Sequence, residues 1–236
     1  MSPAILLFST LLALPSALTD PAPTYKKPLP EPAVLARGTA NRYANLSPAA
    51  CKKQLAARKV AIEFVGAAPG IANPVRIVGP IGGIQFHTGP KKSPFGMADC
   101  RLVLTWLDLI PLLRDHKVAS IRIDNFYRKG ARLPARKSKK SQHAYALATD
   151  LTSLTLDDGT LLDVEKDFHG QLGQEVCGPT AVVQNNDPQG VLLRNLVCDI
   201  GRTGAFHHIL TPNANLAHRN HLHLDIARDC TWFSVK

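Results

Sequence analysis

The chain has 236 residues, of which 45% are hydrophobic and 19% charged, so it can bury a globular core without depending on a metal or on disulfides. Its formal net charge of +10 favours anionic partners such as a wall polymer, nucleic acid or acidic lipid. The sequence has no RNP signature, aromatic platform or zinc-finger spacing, which argues against nucleic acid as the partner.

The N-terminal segment is typical of an exported protein. Residues 5–14 form an uncharged apolar run that is too short to span a bilayer but suits the core of a signal peptide. We therefore predict a signal peptide over residues 1–17 and a periplasmic or extracellular mature chain without a membrane span. The alternative is a buried N-terminal segment. Residues 18–45 contain five prolines, which predicts an extended linker ahead of a folded domain over 46–236.

Helices and strands are both expected within the domain. Cap residues and helical spacing of apolar side chains predict helices over 47–59, 100–113 and 192–200. Short apolar or alternating segments predict strands over 60–65, 75–78, 84–86, 119–127, 148–156, 160–164, 206–210 and 221–226. The basic residues 129–142 lack apolar periodicity and predict a loop. The expected fold class is α+β, with a small antiparallel sheet flanked by two or three helices.

Five cysteines are present, and none of them forms a CxxC pair, so a cysteine-based zinc site is not expected. Export makes disulfides the natural state of these residues. We predict a bond between Cys198, in a helix, and Cys230, beyond the last strands. Among Cys51, Cys100 and Cys177 the sequence does not choose a pair.

A histidine cluster lies at the last predicted strand, where residues 218–225 read HRNHLHLD. His221 and His223 are two residues apart on a strand and project from the same face, with His218 at its entrance. Two adjacent imidazoles repel one another when both are protonated, and a metal that accepts their lone pairs removes this conflict. The alternative is a chance cluster in a chain that contains nine histidines.

A second motif lies upstream, where residues 141–150 read SQHAYALATD. A histidine and an aspartate seven residues apart suit a bend followed by a strand, with both side chains in one pocket. Asp150 follows apolar and small residues, so its carboxylate needs a compensating partner, which a cation supplies. The alternative partner is a set of backbone or hydroxyl hydrogen bonds. Two histidines and one aspartate form a ligand set that zinc accepts, with a fourth position open.

These motifs resemble those of a zinc metallopeptidase group. SxHxxAxAxD is similar to the SxHxxGxAxD motif of lysostaphin-type enzymes, D-alanyl-D-alanine carboxypeptidases and the hedgehog amino-terminal domain. HxxHxH resembles the second motif of the penicillin-insensitive murein endopeptidases. The wider chain resembles the extensin-like C-terminal family of bacteria, from Cys51 to Cys230. That resemblance is carried by DCRLVL at 99–104, NFYR at 125–128, the two motifs and DDGTLLDVEKDFHG at 157–170.

The resemblance implies roles for the residues of both motifs. The zinc ligands would be His143, Asp150 and His223. His221 would act as the base or electrostatic helper, with His218 next in line, since no glutamate lies near the HxH strand.

Flanking residues would support this set. Arg128 would stabilise the negative charge that develops on the oxyanion, or it would bind a substrate carboxylate. The alternative is an ordinary surface arginine. Asp225 would orient a ligand histidine, unless it is a strand-end charge, and Ser141 is a further supporting residue.

The resulting functional expectation is zinc-dependent hydrolysis of an amide bond in cell-wall (peptidoglycan) peptides. The partner would be a cell-wall peptide or an anionic wall polymer. The alternative is a non-catalytic zinc-containing module that binds or structures the cell envelope, because the hedgehog domain shows that this fold group serves such roles. The group's usual glycine and the extensin-like family's usual glutamate are replaced by Ala146 and Gln142 respectively, which leaves the predicted ligand set intact.

Overall fold

A computed structural model of the protein describes residues 23–134 and 136–236, so the predicted signal peptide lies outside the described residues. The helices are α1 (Pro32–Leu35), α2 (Thr39–Ala44), α3 (Pro48–Ala57), α4 (Cys100–Asp115), α5 (Val164–Asp167) and α6 (Pro188–Arg202). The strands are β1 (Ile62–Phe64), β2 (Pro74–Ile77), β3 (Gln85–His87), β4 (Ala98–Asp99), β5 (Val118–Asn125), β6 (Arg132–Leu133), β7 (Arg136–Lys140), β8 (Ala148–Leu156), β9 (Leu161–Asp163), β10 (His208–Leu210), β11 (Leu222–Asp225) and β12 (Ser234–Val235). The predicted α+β class is confirmed.

The main sheet has the strand order β12-β10-β11-β8-β5-β3, and β9 pairs with β8 as a hairpin. The central strands β10, β11, β8 and β5 run antiparallel to one another, whereas β3 and β12 pair in parallel at the two edges. A smaller antiparallel sheet contains β1, β2 and β4. The register of β8 shifts at three places against β5, which changes which residues of β8 share a face.

Helix α4 covers one face of the main sheet. Its apolar residues Leu102, Trp106 and Leu113 are fully buried, as the helical spacing predicts. The Trp106 indole donates to Thr149 Oγ1 at 3.1 Å, which fixes Thr149 of β8 towards the helix. Since successive residues of a strand point to opposite faces, Asp150 points away from α4. No helix in the described part of the chain is long and apolar enough to cross a membrane.

The described part of the predicted linker is folded onto the domain, so the expectation of an extended segment over 18–45 is wrong for residues 23–45. Tyr25 and Tyr43 are buried, and the Tyr43 hydroxyl donates to Asp108 of α4 at 2.6 Å. The Tyr25 backbone N–H donates to Asn195 of α6 at 2.9 Å. The prolines remove backbone donors without preventing burial, and the two tyrosines supply the apolar surface that attaches the segment.

The basic segment predicted as a loop over 129–142 contains the hairpin β6–β7 instead. Every residue of β7 is exposed, so no face of this strand needs apolar side chains. A hairpin that is solvated on both faces leaves no alternation of apolar and polar residues for a sequence pattern to reveal.

The structure contains two disulfides, Cys51–Cys100 and Cys177–Cys198. The predicted Cys198–Cys230 bond is therefore wrong. The buried face of α6 turns Cys198 towards the segment that contains Cys177, whereas Cys230 is a free thiol. The Cys230 sulfur lies 3.8 Å from His208 Nε2 and donates to the Trp232 carbonyl at 3.3 Å, and burial raises its pKa.

Removal of either disulfide is expected to destabilise the fold. The two bonds span 49 and 21 residues, and loop-closure entropy assigns them about 4 and about 3 kcal/mol of unfolding free energy. Urea denaturation of the paired alanine variants would measure both losses, with Cys230→Ala as the matched control that is expected to change nothing. Peptide mapping that found Cys230 in a disulfide would contradict this pairing.

Candidate metal centre

Three side chains from the two sequence motifs meet at one point. His143 Nε2 lies 2.9 Å from Asp150 Oδ1 and 3.1 Å from His223 Nδ1, and the last two atoms are 3.1 Å apart. The exposed fractions of His143, Asp150 and His223 are 0%, 3% and 7%. Among the described residues these three form the one group whose ligand atoms are close enough to hold a metal ion together.

Sheet register and a short turn bring the three residues together. Asp150 on β8 and His223 on β11 are directly opposite partners in adjacent antiparallel strands. His143 lies in a 3-10 turn over Gln142–Tyr145, and the Ser141 hydroxyl accepts from the His143 backbone N–H at 3.3 Å. Ala146 ends the turn in the left-handed conformation with φ of 53°, a conformation that glycine adopts without strain.

The remaining ring nitrogens of both histidines are held by acceptors. His143 Nδ1 lies 3.0 Å from the Phe126 carbonyl oxygen, and His223 Nε2 lies 3.0 Å from Asp225 Oδ2. These acceptors hold a proton on the outer nitrogen of each ring, so a neutral ring presents a lone pair to the cluster. Two lone pairs and one carboxylate oxygen then face one another, which is the donor set that a divalent zinc ion requires.

The ionisation of the cluster is strongly perturbed. Burial lowers the pKa of His143. Burial acts in the same direction on His223, but its hydrogen bonds to Asp150 and Asp225 outweigh it and raise the pKa to about 9. Burial opposes ionisation of Asp150, yet the hydrogen bonds from the two histidines hold its pKa well below the usual range. The buried carboxylate of Asp150 therefore keeps a compensating cation beside it, which is a protonated His223 or a metal ion in its place.

The second oxygen of the Asp150 carboxylate has partners outside the cluster. Asn125 Nδ2 donates to Oδ2 at 3.0 Å, and the Arg128 guanidinium lies 3.7 Å from the same oxygen. Asn125 Oδ1 is buried and has no hydrogen-bond partner among the described residues. Asn125 and the Phe126 carbonyl were not predicted as site groups, although both lie in the NFYR segment that carries the family resemblance.

Two further histidines lie beside the cluster. His221 Nε2 is 3.5 Å from Asp150 Oδ1, while His221 Nδ1 contacts the Asn220 side-chain oxygen at 2.9 Å. The His218 ring is centred 5.1 Å from that of His221 and 5.7 Å from that of His223. Burial lowers the pKa of both rings, that of His218 to about 4, and so favours the neutral form, which carries one free lone pair.

Asp225 bridges two histidines at the end of β11. Its Oδ2 contacts His223, and its Oδ1 lies 2.7 Å from His208 Nδ1. Its carboxylate oxygens thus anchor the His223 ring from behind. The structure brings together all eight candidate residues of the sequence analysis, which are Ser141, His143, Asp150, Arg128, His218, His221, His223 and Asp225.

The region that matches a known protein family contains the residues of this site. The model of the family described as extensin-like protein C-terminus matches residues 49–234, which include every residue of the cluster. No curated protein and no solved structure gives a significant match to the chain. Because the family model covers most of the chain, the protein belongs to the extensin-like C-terminal family.

Proposed function

We propose that the protein is a zinc-dependent hydrolase of amide bonds in the peptides of peptidoglycan. The observation that carries the proposal is the convergence of His143 Nε2, Asp150 Oδ1 and His223 Nδ1 within 3.1 Å, with the His221 imidazole beside them. A structural zinc site is closed by four protein ligands, whereas three ligands leave a position open for chemistry. The peptidase group assignment rests in addition on the resemblance of the two motifs.

Zinc, when bound, supplies Lewis acidity that acidifies water and polarises a carbonyl group. His221 accepts a proton at Nε2, because Asn220 holds the proton of the other ring nitrogen. Arg128 is half exposed and has its guanidinium near the cluster, so it can donate to a substrate carboxylate or to the oxygen on which charge develops. Asn125 keeps Asp150 in the orientation that presents Oδ1 to the site.

Peptidoglycan is the proposed substrate class because of the compartment and the charge. Two disulfides support an oxidising location outside the cytoplasm. The net charge of +10 favours approach to the acidic wall. The related peptidases that the two motifs resemble act on the same polymer.

A non-catalytic zinc-containing module of the cell envelope is the second candidate. It is favoured by the distribution of carboxylates, since the last glutamate of the chain is Glu175, which binds Thr180 instead of the cluster. The carboxylates of Asp150 and Asp225 both form hydrogen bonds with histidines of the cluster. Only a histidine is then left to serve as the base, and general-base help is worth about 10²–10⁴ in rate.

Digestion of purified peptidoglycan separates the two candidates. The zinc-loaded protein is expected to release new free amino groups from sacculi, because amide hydrolysis forms one amine for each bond broken. A chelator should abolish the release, and readdition of zinc should restore it. A protein that binds one zinc per chain yet releases no amine from any peptidoglycan would favour the non-catalytic module.

A further inference from the structure

A large cleft with both polar and apolar walls lies on the main sheet. It has a volume of about 1070 Å³, and its lining includes residues of β3, β5 and β8 together with Arg76 and Ile77 of β2. Asp124 is part of this lining, and its carboxylate accepts from the same Asn125 amide that holds Asp150. The cleft therefore begins next to the metal ligands.

The shift in register between β5 and β8 places the cleft and the cluster on one face of the sheet. Ile123 pairs with Leu151 towards the core, while Asn125 pairs with Asp150 and Arg122 pairs with Ser153. Ser153 is three residues beyond Asp150, which on a strand is roughly 10 Å. A polymer bound at the cluster can thus continue along the sheet without a turn.

The lining of the cleft suits a polymer that is rich in hydroxyl, amide and carboxylate groups. Its side chains include hydrogen-bonding groups from neighbouring strands, namely Gln85, His87, Ser120, Ser153 and Thr155. These residues are exposed or half-buried, so their polar atoms are accessible to a ligand.

Arg122 stands in the middle of this surface. Its cross-strand partners are His87 on β3 and Ser153 on β8, neither of which carries a negative charge. No ion pair in the described part of the chain includes the Arg122 guanidinium. The lining has two other cations, Arg76 and Lys91. Arg76 is half-buried and lies opposite Glu63 in the β1–β2 pair, and Lys91 has no guanidinium fork. Arg122 is therefore the lining residue best suited to bind a carboxylate of the ligand.

We propose that this cleft, which we call the Arg122 cleft, binds the acidic peptide stem and attached glycan of the peptidoglycan strand beside the bond to be cleaved. Arg122 binds a carboxylate of the stem through its guanidinium fork, and the hydroxyl and amide side chains bind the remaining polar groups. This proposal rests on the proposed function, because it extends the substrate from the metal centre into the cleft.

Co-sedimentation of the zinc-loaded protein with purified sacculi tests the proposal. Arg122→Glu is expected to weaken binding at least about tenfold, since a charge-assisted hydrogen bond is lost and a repulsive charge replaces it. Arg122→Lys should show an intermediate loss, because the charge remains but the fork is absent. Zinc content and melting temperature should not change, as Arg122 is exposed. The matched control is Arg37→Glu, an equal change of charge at an exposed position outside the cleft lining.

Sacculi whose carboxylates have been amidated identify the group that Arg122 binds. The wild-type protein should bind them as weakly as Arg122→Glu binds native sacculi, and the variant should lose nothing further on them. Equal binding of native sacculi by Arg122→Glu and the wild type, undiminished binding of amidated sacculi by the wild type, or no binding at all would overturn the proposal. Failure of the proposed function gives a different result, in which native sacculi are bound through Arg122 but no amine is released.

Discussion

Replacement of His143, Asp150 or His223 by alanine is expected to reduce bound zinc from about one ion per chain to almost none. Each residue contributes one of the three atoms that lie within 3.1 Å of one another, and two protein ligands do not make a zinc site of useful affinity. Elemental analysis of dialysed protein would measure the loss. A zinc-induced rise in melting temperature, present in the wild type, should disappear in all three variants.

A substitution with a smaller expected effect and a control variant make this test more specific. Asp225→Asn keeps all three ligands but weakens the acceptor behind His223, so zinc affinity should fall by about 10–100-fold instead of vanishing. His169→Ala removes a histidine that pairs with Asp187, away from the cluster, and should retain zinc in full. Full zinc retention by both His143→Ala and Asp150→Ala would refute the ligand assignment.

The grouping of candidate ligands within each motif could be predicted because it depends on local rules, whereas the meeting of the two motifs depends on the pairing of β8 with β11. Alternation along a strand puts His221 and His223 on one side, and it separates Asp150 from the core-facing Thr149. The spacing between His143 and Asp150 corresponds to one 3-10 turn and the start of β8. Such patterns are visible within ten residues of sequence.

The supporting contacts of the centre could not be predicted in this way. The Phe126 carbonyl and the Asn125 amide reach the cluster because β5 pairs with β8 at a shifted register. A register shift between strands depends on the whole sheet and leaves no mark in either strand. Every residue has a backbone carbonyl, so the residue type at position 126 does not indicate that this carbonyl accepts a hydrogen bond from His143.

The predictions for the N-terminal segment and for the disulfide were also wrong because they depend on contacts between residues far apart in sequence. The proline content of the N-terminal segment is a local property, but the burial of Tyr25 depends on its contact with the distant helix α6. Cysteine pairing likewise depends on which side chains meet in space, and the nearness of Cys198 to Cys177 follows from the orientation of α6. Composition and spacing carry no information on contacts of this kind.

His221→Ala is expected to separate metal binding from chemistry. His221 Nε2 is 3.5 Å from Asp150 Oδ1 but is not one of the three mutually close ligand atoms, so the variant should keep its zinc and its fold. Hydrolysis of peptidoglycan should fall by roughly a hundredfold to ten-thousandfold, the usual contribution of a positioned acid–base group. Zinc analysis, a melting curve and the amine-release assay on one preparation would measure all three properties, with His169→Ala as the control.

Each deviation from this result has a distinct structural meaning. Loss of zinc from His221→Ala, as expected for His223→Ala, would make His221 a fourth ligand and the centre a closed structural site. Retention of both zinc and full activity would move the base to His218, whose ring is centred 5.1 Å from that of His221 and is also neutral at pH 7. The double variant His218→Ala/His221→Ala would then lose the activity that the single variant keeps, because both histidines lie beside the cluster and neither is one of its three candidate ligands.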